Sequence, residues 1–179
     1  SLPTHGVRDL AVADLNQDGF EDLVAACYRD NDTVLTNSYV FWSSTDGLQT
    51  ESPTSLPTTG TRDVEIADLD LDGWPDLVFP TYYGEDGYAS DSLIYWGSTD
   101  GFSSDAVTLL PSTGIFRATA GDLDHDGWPD LVLTSFYSGS TYATESLVYY
   151  GSKAGFDETH RDVLPSVGAY TNPLLVGAD

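Results

Sequence analysis

Three short aspartate-rich segments recur along the chain at intervals of 54 residues, starting at residues 14, 68 and 122. They are DLNQDGFED, DLDLDGWPD and DLDHDGWPD, and each has oxygen-bearing side chains at positions 1, 3, 5 and 9. Hard cations such as Ca²⁺ take about six to eight oxygen ligands, which a loop supplies from alternate residues before it turns sharply. Gly19, Gly73 and Gly127 stand at position 6, where glycine allows the turn because it adopts positive φ without strain.

The sequence therefore predicts three Ca²⁺ sites, each completed by the backbone carbonyl at position 7. The alternative is that each Asp-Gly pair forms only a tight hairpin turn. Asn16 replaces the carboxylate at position 3 of the first loop, so we expect that site to bind most weakly. The predicted ligands are Asp14, Asn16, Asp18, Phe20, Asp22, Asp68, Asp70, Asp72, Trp74, Asp76, Asp122, Asp124, Asp126, Trp128 and Asp130.

These loops differ from EF-hand loops, which need a glutamate at position 12 and a helix on each side. Position 12 is Ala25, Phe79 or Leu133, and each loop leads into an apolar segment, DLVAA, DLVFP or DLVLT. Such segments favour strands. We therefore expect each loop to join two strands.

The repeat extends well beyond the loops. LPTHGVRDLAVAD (2–14) matches segments 56–68 and 110–122, and SYVFWSSTDGL (38–48) matches segments 92–102 and 146–156. One repeat contains four strand-like pieces, VRDLAVA, EDLVAAC, NSYVFWS and the stretch from about 49 to 56, and no helical periodicity of useful length. Repeats of this size with four antiparallel strands indicate the blades of a β-propeller.

We thus predict an all-β, partial propeller of about three blades within one repeat domain, 1–179. The blades are expected at about 6–58, 60–112 and 114–166, and the innermost strand of a further blade at about 171–179. Small residues such as Ala11 and Ala67 suit an innermost strand, and bulky ones such as Phe41, Tyr95 and Tyr149 suit packing between blades.

The composition narrows the environment and the partners. The net charge of −23 argues against nucleic acid and anionic membranes as partners, and no apolar run is long enough to insert into a membrane. An extracellular or saline setting fits this charge. The single cysteine, Cys27, is expected to be a buried thiol. The chain has no Met and begins within a repeat, so we expect a processed or excised piece.

The pattern ADLDxDGxPDLV, followed by a strand ending in YWGS and a Gly-Phe pair, resembles the FG-GAP and VCBS-type repeats of integrin α subunits and many secreted bacterial proteins. The resemblance implies a propeller whose loops bind Ca²⁺ between the first two strands of each blade. It also implies adhesion or protein recognition at the cell surface. Three complete blades are fewer than the seven usual in that family.

Other residues leave alternatives open. Trp74 and Trp128 either cap a blade edge or form an aromatic platform for a sugar or a protein. The tyrosines after the second strands either line a groove or pack on one another; they are Tyr28, Tyr82, Tyr83, Tyr88, Tyr137 and Tyr142. His5, His125 and His160 have no catalytic partner at a telling spacing, and no catalytic motif is present. We expect no enzyme activity.

Three functions follow in order of preference. The first is a calcium-stabilised adhesion or recognition module, the second is a lectin on the same scaffold, and the third is the scaffold of a larger enzyme. Because three blades form only an arc, we expect another chain to complete the ring, either a second copy or a fragment of the same precursor. The bare faces of the arc are expected beside 7–12 and beside Leu147 and Tyr149.

Overall fold

The computed structural model describes residues 4–30 and 33–168. Helices are absent from these residues, which form twelve strands. The strands are β1 (Val7–Ala13), β2 (Asp22–Cys27), β3 (Leu35–Phe41), β4 (Thr54–Thr59), β5 (Glu65–Ala67), β6 (Asp76–Phe79), β7 (Ser92–Tyr95), β8 (Val107–Leu110), β9 (Ile115–Gly121), β10 (Asp130–Ser135), β11 (Ala143–Tyr149) and β12 (Arg161–Val167). The innermost strand expected at 171–179 lies outside the described residues.

The strands form three separate four-stranded sheets with the orders β1-β2-β3-β4, β5-β6-β7-β8 and β9-β10-β11-β12. All pairings are antiparallel and join strands that follow one another in the chain, as in β1 with β2 and β10 with β11. The three sheets are the blades of a partial propeller and do not close into a ring. The predicted fold class is therefore confirmed.

The predicted boundaries of the third and fourth strands were wrong. β4 begins at Thr54, where it pairs with Val40, and not near residue 49. After the turn closed by the Gly47 N–H and the Ser44 carbonyl (2.8 Å), the Gln49 N–H donates to the Trp42 carbonyl (2.8 Å). This contact carries the chain away from the sheet for several residues. Likewise β3 covers Leu35–Phe41, because the N–H of Ser43 bonds to a loop aspartate and not to a strand.

The hydrophobic core lies in two layers between the blades. Leu77, Phe79 and Tyr95 pack against the first blade, whereas Val78 and Ile94 of the same strands pack against the third. Successive residues of a strand point to opposite faces, so a strand buried on both faces needs a continuous apolar run. This explains why residues 77–79 (LVF) and 93–95 (LIY) are uninterrupted apolar runs.

Hydrogen bonds from buried tyrosines connect neighbouring blades. Tyr95 is 2% exposed, and its hydroxyl donates to the carbonyl of Pro57 in the first blade (2.5 Å). Tyr149 is fully buried, and its hydroxyl donates to the carbonyl of Pro111 in the second blade (2.6 Å). The expectation that bulky residues of the third strand pack between blades is confirmed for Tyr95 and Tyr149.

The first strands of the three blades lie side by side and are joined by carboxylates. Asp9 accepts from the N–H of Val64 (3.3 Å), and Asp63 accepts from the N–H of Ala118 (2.9 Å). Burial raises the pKa of Asp63 to about 6, although the Ala118 N–H and the Arg117 guanidinium, 2.9 Å away, both lower it. Small side chains on these strands, including Ala67 and Ala120, pack into the core, as expected for an innermost strand.

One of the two expected bare faces is where it was predicted. Leu10 and Val12 of β1 are 55% and 65% exposed. Leu147 and Tyr149 were wrongly assigned to the other face. They are 6% and 0% exposed because they point toward the second blade. Val163, Leu164 and Val167 of β12 are among the exposed apolar side chains of the third blade.

Two further sequence expectations concern single features. Cys27 is buried, and that burial raises the pKa of its thiol to about 11, which makes it an unreactive core residue as predicted. Within residues 4–30 and 33–168, no helical segment has the length and apolar character needed to cross a membrane.

Candidate metal centres

Each acidic segment forms the hairpin loop between the first two strands of a blade. The loops are closed by the pairs Ala13–Asp22, Ala67–Asp76 and Gly121–Asp130. The glycines at position 6 have φ of 90°, 96° and 94°. The residues at position 4, Gln17, Leu71 and His125, also have positive φ, between 57° and 61°. Two left-handed residues in each loop bend its backbone into a compact curl.

Carboxylates of the loop hold this curl in place. In the second loop, Asp68 accepts from the N–H of Gly73 (3.0 Å), Asp70 from that of Asp72 (3.1 Å), and Asp72 from that of Trp74 (2.8 Å). The first and third loops have the same bonds within about 0.1 Å. The sequence repeat is therefore also a repeat of loop geometry.

The acidic side chains converge within the loops. Asp68, Asp70 and Asp76 each place a carboxylate oxygen within 4.8 Å of the other two. Asp122, Asp124 and Asp126 do the same in the third loop. In the first loop, the amide nitrogen of Asn16 donates to Asp18 Oδ2 (3.1 Å). The acidic clusters of the second and third loops could each hold a metal ion.

One oxygen in the second loop is left in need of a partner. Asp68 Oδ1 is buried and has no hydrogen-bond partner among the described residues. A buried carboxylate oxygen without a partner is unfavourable, and a cation would satisfy it. The side chains that converge in the loop offer only oxygen atoms as metal ligands. This suits Ca²⁺ and not Zn²⁺, whose preferred ligands are His and Cys. The residues present thus fit the predicted ion.

The aspartate at position 9 has a second task that the sequence analysis missed. Asp76 is 1% exposed; its Oδ2 accepts from the N–H of Leu69 (2.8 Å) and its Oδ1 from that of Gly97 (2.7 Å). Asp22 and Asp130 make the equivalent bonds in their blades. This side chain therefore ties the loop to the end of the third strand. The sequence feature that could have revealed this role is a glycine that follows the third strand at the same place in two repeats, Gly97 and Gly151.

Burial and mutual repulsion make these loops unfavourable for negative charge. Burial raises the pKa of Asp76 to about 7, the charges of Asp70 and Asp72 add to the increase, and the N–H groups of Gly97 and Leu69 oppose it. The pKa of Asp22 is raised for the same main reason. A divalent cation would favour the ionised carboxylates and offset both the burial of their charge and their mutual repulsion.

The side chains at position 7 differ in exposure between the loops. Trp74 and Trp128 are half-buried, whereas Phe20 is 37% exposed. A Cβ placed on Gly97 would lie 3.3 Å from Trp74 Cβ and would clash with the Pro75 carbonyl oxygen. Glycine is therefore required where the end of the third strand meets the loop.

The tyrosines that follow the second strands lie at the end of the sheets opposite the acidic loops. They pack on one another: Tyr88 meets Tyr82, Tyr83 and Tyr137 with ring centroids 5.3, 4.8 and 5.0 Å apart. Tyr137 in turn meets Tyr142 at 4.9 Å. This supports the mutual-packing interpretation of these loops.

Comparison with known proteins places the chain among repeat proteins of this type. The family described as FG-GAP-like repeat matches residues 14–79. Human integrin alpha-6 is 31% identical over 147 residues, which is 74% of this chain and 13% of that protein. Human integrin alpha-IIb is 28% identical over 151 residues, 72% of this chain and 14% of that protein.

Human integrin alpha-7 is 32% identical over 98 residues, half of this chain and 8% of that protein. The chain thus spans less than a sixth of the length of these relatives. Taken with the three repeated blades and their acidic hairpins, these matches show that the chain belongs to the FG-GAP-like repeat family of integrin type.

Proposed function

We propose that the chain is an extracellular or cell-surface propeller module for adhesion or protein recognition, stabilised by three structural Ca²⁺ ions. The observation that carries this proposal is the same acidic hairpin at the same place in all three blades. The similarity to integrin alpha chains supports the adhesion role. The proposed ligands are those expected from the sequence, with the oxygens of Asp68, Asp70 and Asp76 already within 4.8 Å of one another.

Calcium acts here by neutralising clustered carboxylates and fixing the hairpins that carry the innermost strands. Each position-9 aspartate would bind the ion and hold the third strand's end at the same time, as Asp76 does with Gly97. The first and second loops also touch, because Gln17 Nε2 donates to the Gly73 carbonyl (2.6 Å). Ion binding would therefore stabilise the blades and their mutual arrangement.

We further propose that the blades span about 6–58, 60–112 and 114–166 and that another chain completes the ring. That chain is either a second copy or a separate fragment of the same precursor. The exposed Leu10 and Val12 on β1 support an end face that needs a cover.

The test is thermal unfolding of the chain with calcium, with zinc and after chelation. We expect calcium to raise the melting temperature strongly, since binding stabilises by about 2.7 kcal/mol per site when calcium is about 100 times Kd. Zinc should have little effect. Asp70→Asn should weaken the calcium response, whereas Asp105→Asn, an equal charge change at an exposed residue outside the loops, should not. Identical melting curves with calcium and with chelator would refute the calcium role.

A carbohydrate-binding role is the second candidate, favoured by polar clefts between blades. A cavity of about 420 Å³ lies between the second and third blades and is lined by Ser112, Ser135, Thr144, Glu145 and Arg161. A cleft of about 360 Å³ between the first and second blades is lined by Thr81, Ser90 and Asp91, the equivalents of Ser135, Thr144 and Glu145. Binding on a glycan array that disappears on replacement of Thr144 or Glu145 would favour this candidate over protein recognition. The aromatic residues Tyr83, Tyr88 and Trp74 belong in the same test.

A further inference from the structure

A column of two arginines and four aromatic rings runs across the blades at the end opposite the acidic loops. It is built from two positions that repeat every 54 residues, one at or shortly before the start of each innermost strand and one within three residues of the end of each second strand. The first position is held by Arg8, Arg62 and Phe116, and the second by Tyr28, Tyr82 and Phe136.

Arg62 lies at the centre of this column. Its guanidinium carbon is 4.5 Å from the ring centre of Tyr28 and 4.3 Å from that of Tyr82. The guanidinium of Arg8 is 5.4 Å from the same Tyr28 ring. These distances are within the range of cation–π attraction, so two guanidinium groups are held near one tyrosine.

Arg62 has no acidic partner among the described residues, although the chain has 29 acidic residues and only 6 Lys and Arg. Its Nε is buried without a hydrogen-bond partner. By contrast, Arg117 pairs with Asp63 at 2.9 Å, and Arg161 donates to the Pro111 carbonyl and to Tyr149. A partly buried guanidinium with unused donors favours a negatively charged ligand.

The packing of the blades does not require a cation at this position. In the third blade Phe116 takes the place of Arg62, with its ring centre 5.9 Å from Tyr82 and 5.6 Å from Phe136. An aromatic ring therefore fills the same space between two neighbouring rings. Filling this space therefore does not itself require a charge, although the cation–π contacts with Tyr28 and Tyr82 accommodate one.

We propose that Arg62, with Arg8 beside it, binds the carboxylate of an aspartate or glutamate side chain on a partner protein. Arginine binds carboxylates through two parallel N–H donors, and these two arginines form a local positive site on an otherwise acidic chain. A sugar is disfavoured here because Arg62 lies over the Tyr82 ring, and Tyr88 and Phe116 meet it edge-on. The inference rests on the proposed function only in taking the ligand to be a protein.

The test is an NMR titration of the intact chain with N-acetyl-aspartate N-methylamide, in calcium. We expect weak, saturable shifts of the Arg62 Nε–H signal and of the Tyr28 and Tyr82 rings. The neutral asparagine analogue should cause none. Arg62→Phe should weaken binding at least about tenfold, because it removes the paired donors, and should keep the fold, because Phe116 occupies the equivalent place.

Matched variants make the result decisive. Lys153→Gln removes an exposed charge far from the column and should leave binding unchanged. Arg62→Lys keeps the charge but lacks the forked donors, so it should bind more weakly than the parent. Unchanged affinity in both Arg62 variants, or equal binding of the asparagine analogue, would overturn the proposal. Tighter binding of methyl glucuronide than of the aspartate probe would overturn the assignment to a protein.

The two proposals fail in different ways. If the calcium role is wrong, chelation leaves the melting curve unchanged while the Arg62 signals still respond to the probe. If the carboxylate site is wrong, the calcium response remains and the Arg62 signals do not move.

Discussion

Among the side chains predicted to bind calcium, the first candidate loop differs from the other two by one amide group, that of Asn16. Asn16 has an N–H₂ that donates to Asp18 Oδ2, whereas Asp70 and Asp124 offer only oxygens at the same position. The amide leaves the predicted ligands with one negative charge fewer and engages an oxygen of another predicted ligand. We therefore expect the calcium affinity of the first loop to depend on the amide nitrogen of Asn16.

Asn16→Asp should therefore tighten the first site. The change adds a carboxylate and frees Asp18 from the amide, so we expect Kd to fall on the order of tenfold, or about 1.4 kcal/mol. Calorimetric calcium titrations of the parent and the variant measure this directly. The reverse change, Asp70→Asn, should weaken the second site by a similar factor, and three identical sites in the parent would contradict the ranking.

Leu71 has a conformation that its side chain disfavours. Its φ is 59° and its side chain is 51% exposed, so it has the cost of a left-handed backbone without the benefit of burial. Leu71→Asn should stabilise the chain by about 1 kcal/mol, because asparagine tolerates this region. Leu48→Asn is the control, since Leu48 is 40% exposed and has no positive φ. Equal shifts in urea denaturation for the two variants would show that the backbone is not the cause.

At the scale of elements, each hairpin loop is attached to its blade through one buried carboxylate. Asp76 joins the β5–β6 loop to the residue that follows β7, through Leu69 and Gly97. Because this carboxylate is buried beside Asp70 and Asp72, its protonation is linked to the stability of the blade.

The calcium-free chain should lose stability as pH rises from about 4 to about 7. The pKa of Asp76 in the folded state is raised from 3.8 to about 7, so the folded form binds the proton more tightly than the unfolded form in this window. Calcium should reverse the trend, because the ion binds the ionised carboxylates. Urea unfolding across this pH range, with and without calcium, measures both slopes.

Asp76→Asn isolates this group from others that titrate in the same window, such as Asp63 with a pKa of about 6. The variant should flatten the part of the pH dependence due to Asp76. An unchanged slope in the calcium-free variant would show that other groups are responsible.

Much of this architecture was predictable from the sequence because the chain repeats itself. The first strand VRDLAVA, the second strand and the loop between them were correctly placed, since alternation, the Asp-Gly turn and the apolar run all agree there. The start of β4 was not correctly predicted, because the path of the chain after the Ser44–Gly47 turn depends on a hydrogen bond between Gln49 and Trp42. The second role of Asp22, Asp76 and Asp130 depends on contacts between distant strands, which spacing alone does not reveal.

At the scale of the whole molecule, the two layers of hydrophobic core lie between neighbouring blades. The outer faces of the first and third blades have no neighbouring blade among the described residues. The outer face of the first blade presents Leu10 and Val12 on an innermost strand, the kind of strand that other blades cover. The acidic loops lie at the other end of the sheets from the aromatic column, whose Arg8 is on the same exposed side of β1 as Leu10 and Val12.

Val12→Glu should weaken association of the chain with a copy or a fragment that completes the ring. A charge on this apolar face would be desolvated in the complex at a cost of a few kcal/mol. Light scattering in calcium should show the parent above its monomer mass of 19.3 kDa and the variant at it. Leu109→Glu is the control, since Leu109 is 57% exposed on the outermost strand β8. A monomeric parent would contradict the expectation.

The bonds between blades all join one repeat to the next. The Tyr95–Pro57 and Tyr149–Pro111 bonds span 38 residues, the Asp63–Ala118 bond spans 55, and the Gln17–Gly73 bond spans 56. A chain that emerges from its N-terminus can therefore complete each blade interface as soon as one further repeat has been made. Folding during synthesis or export would advance blade by blade, and a nascent chain would expose its newest interface together with the outer face of the first blade.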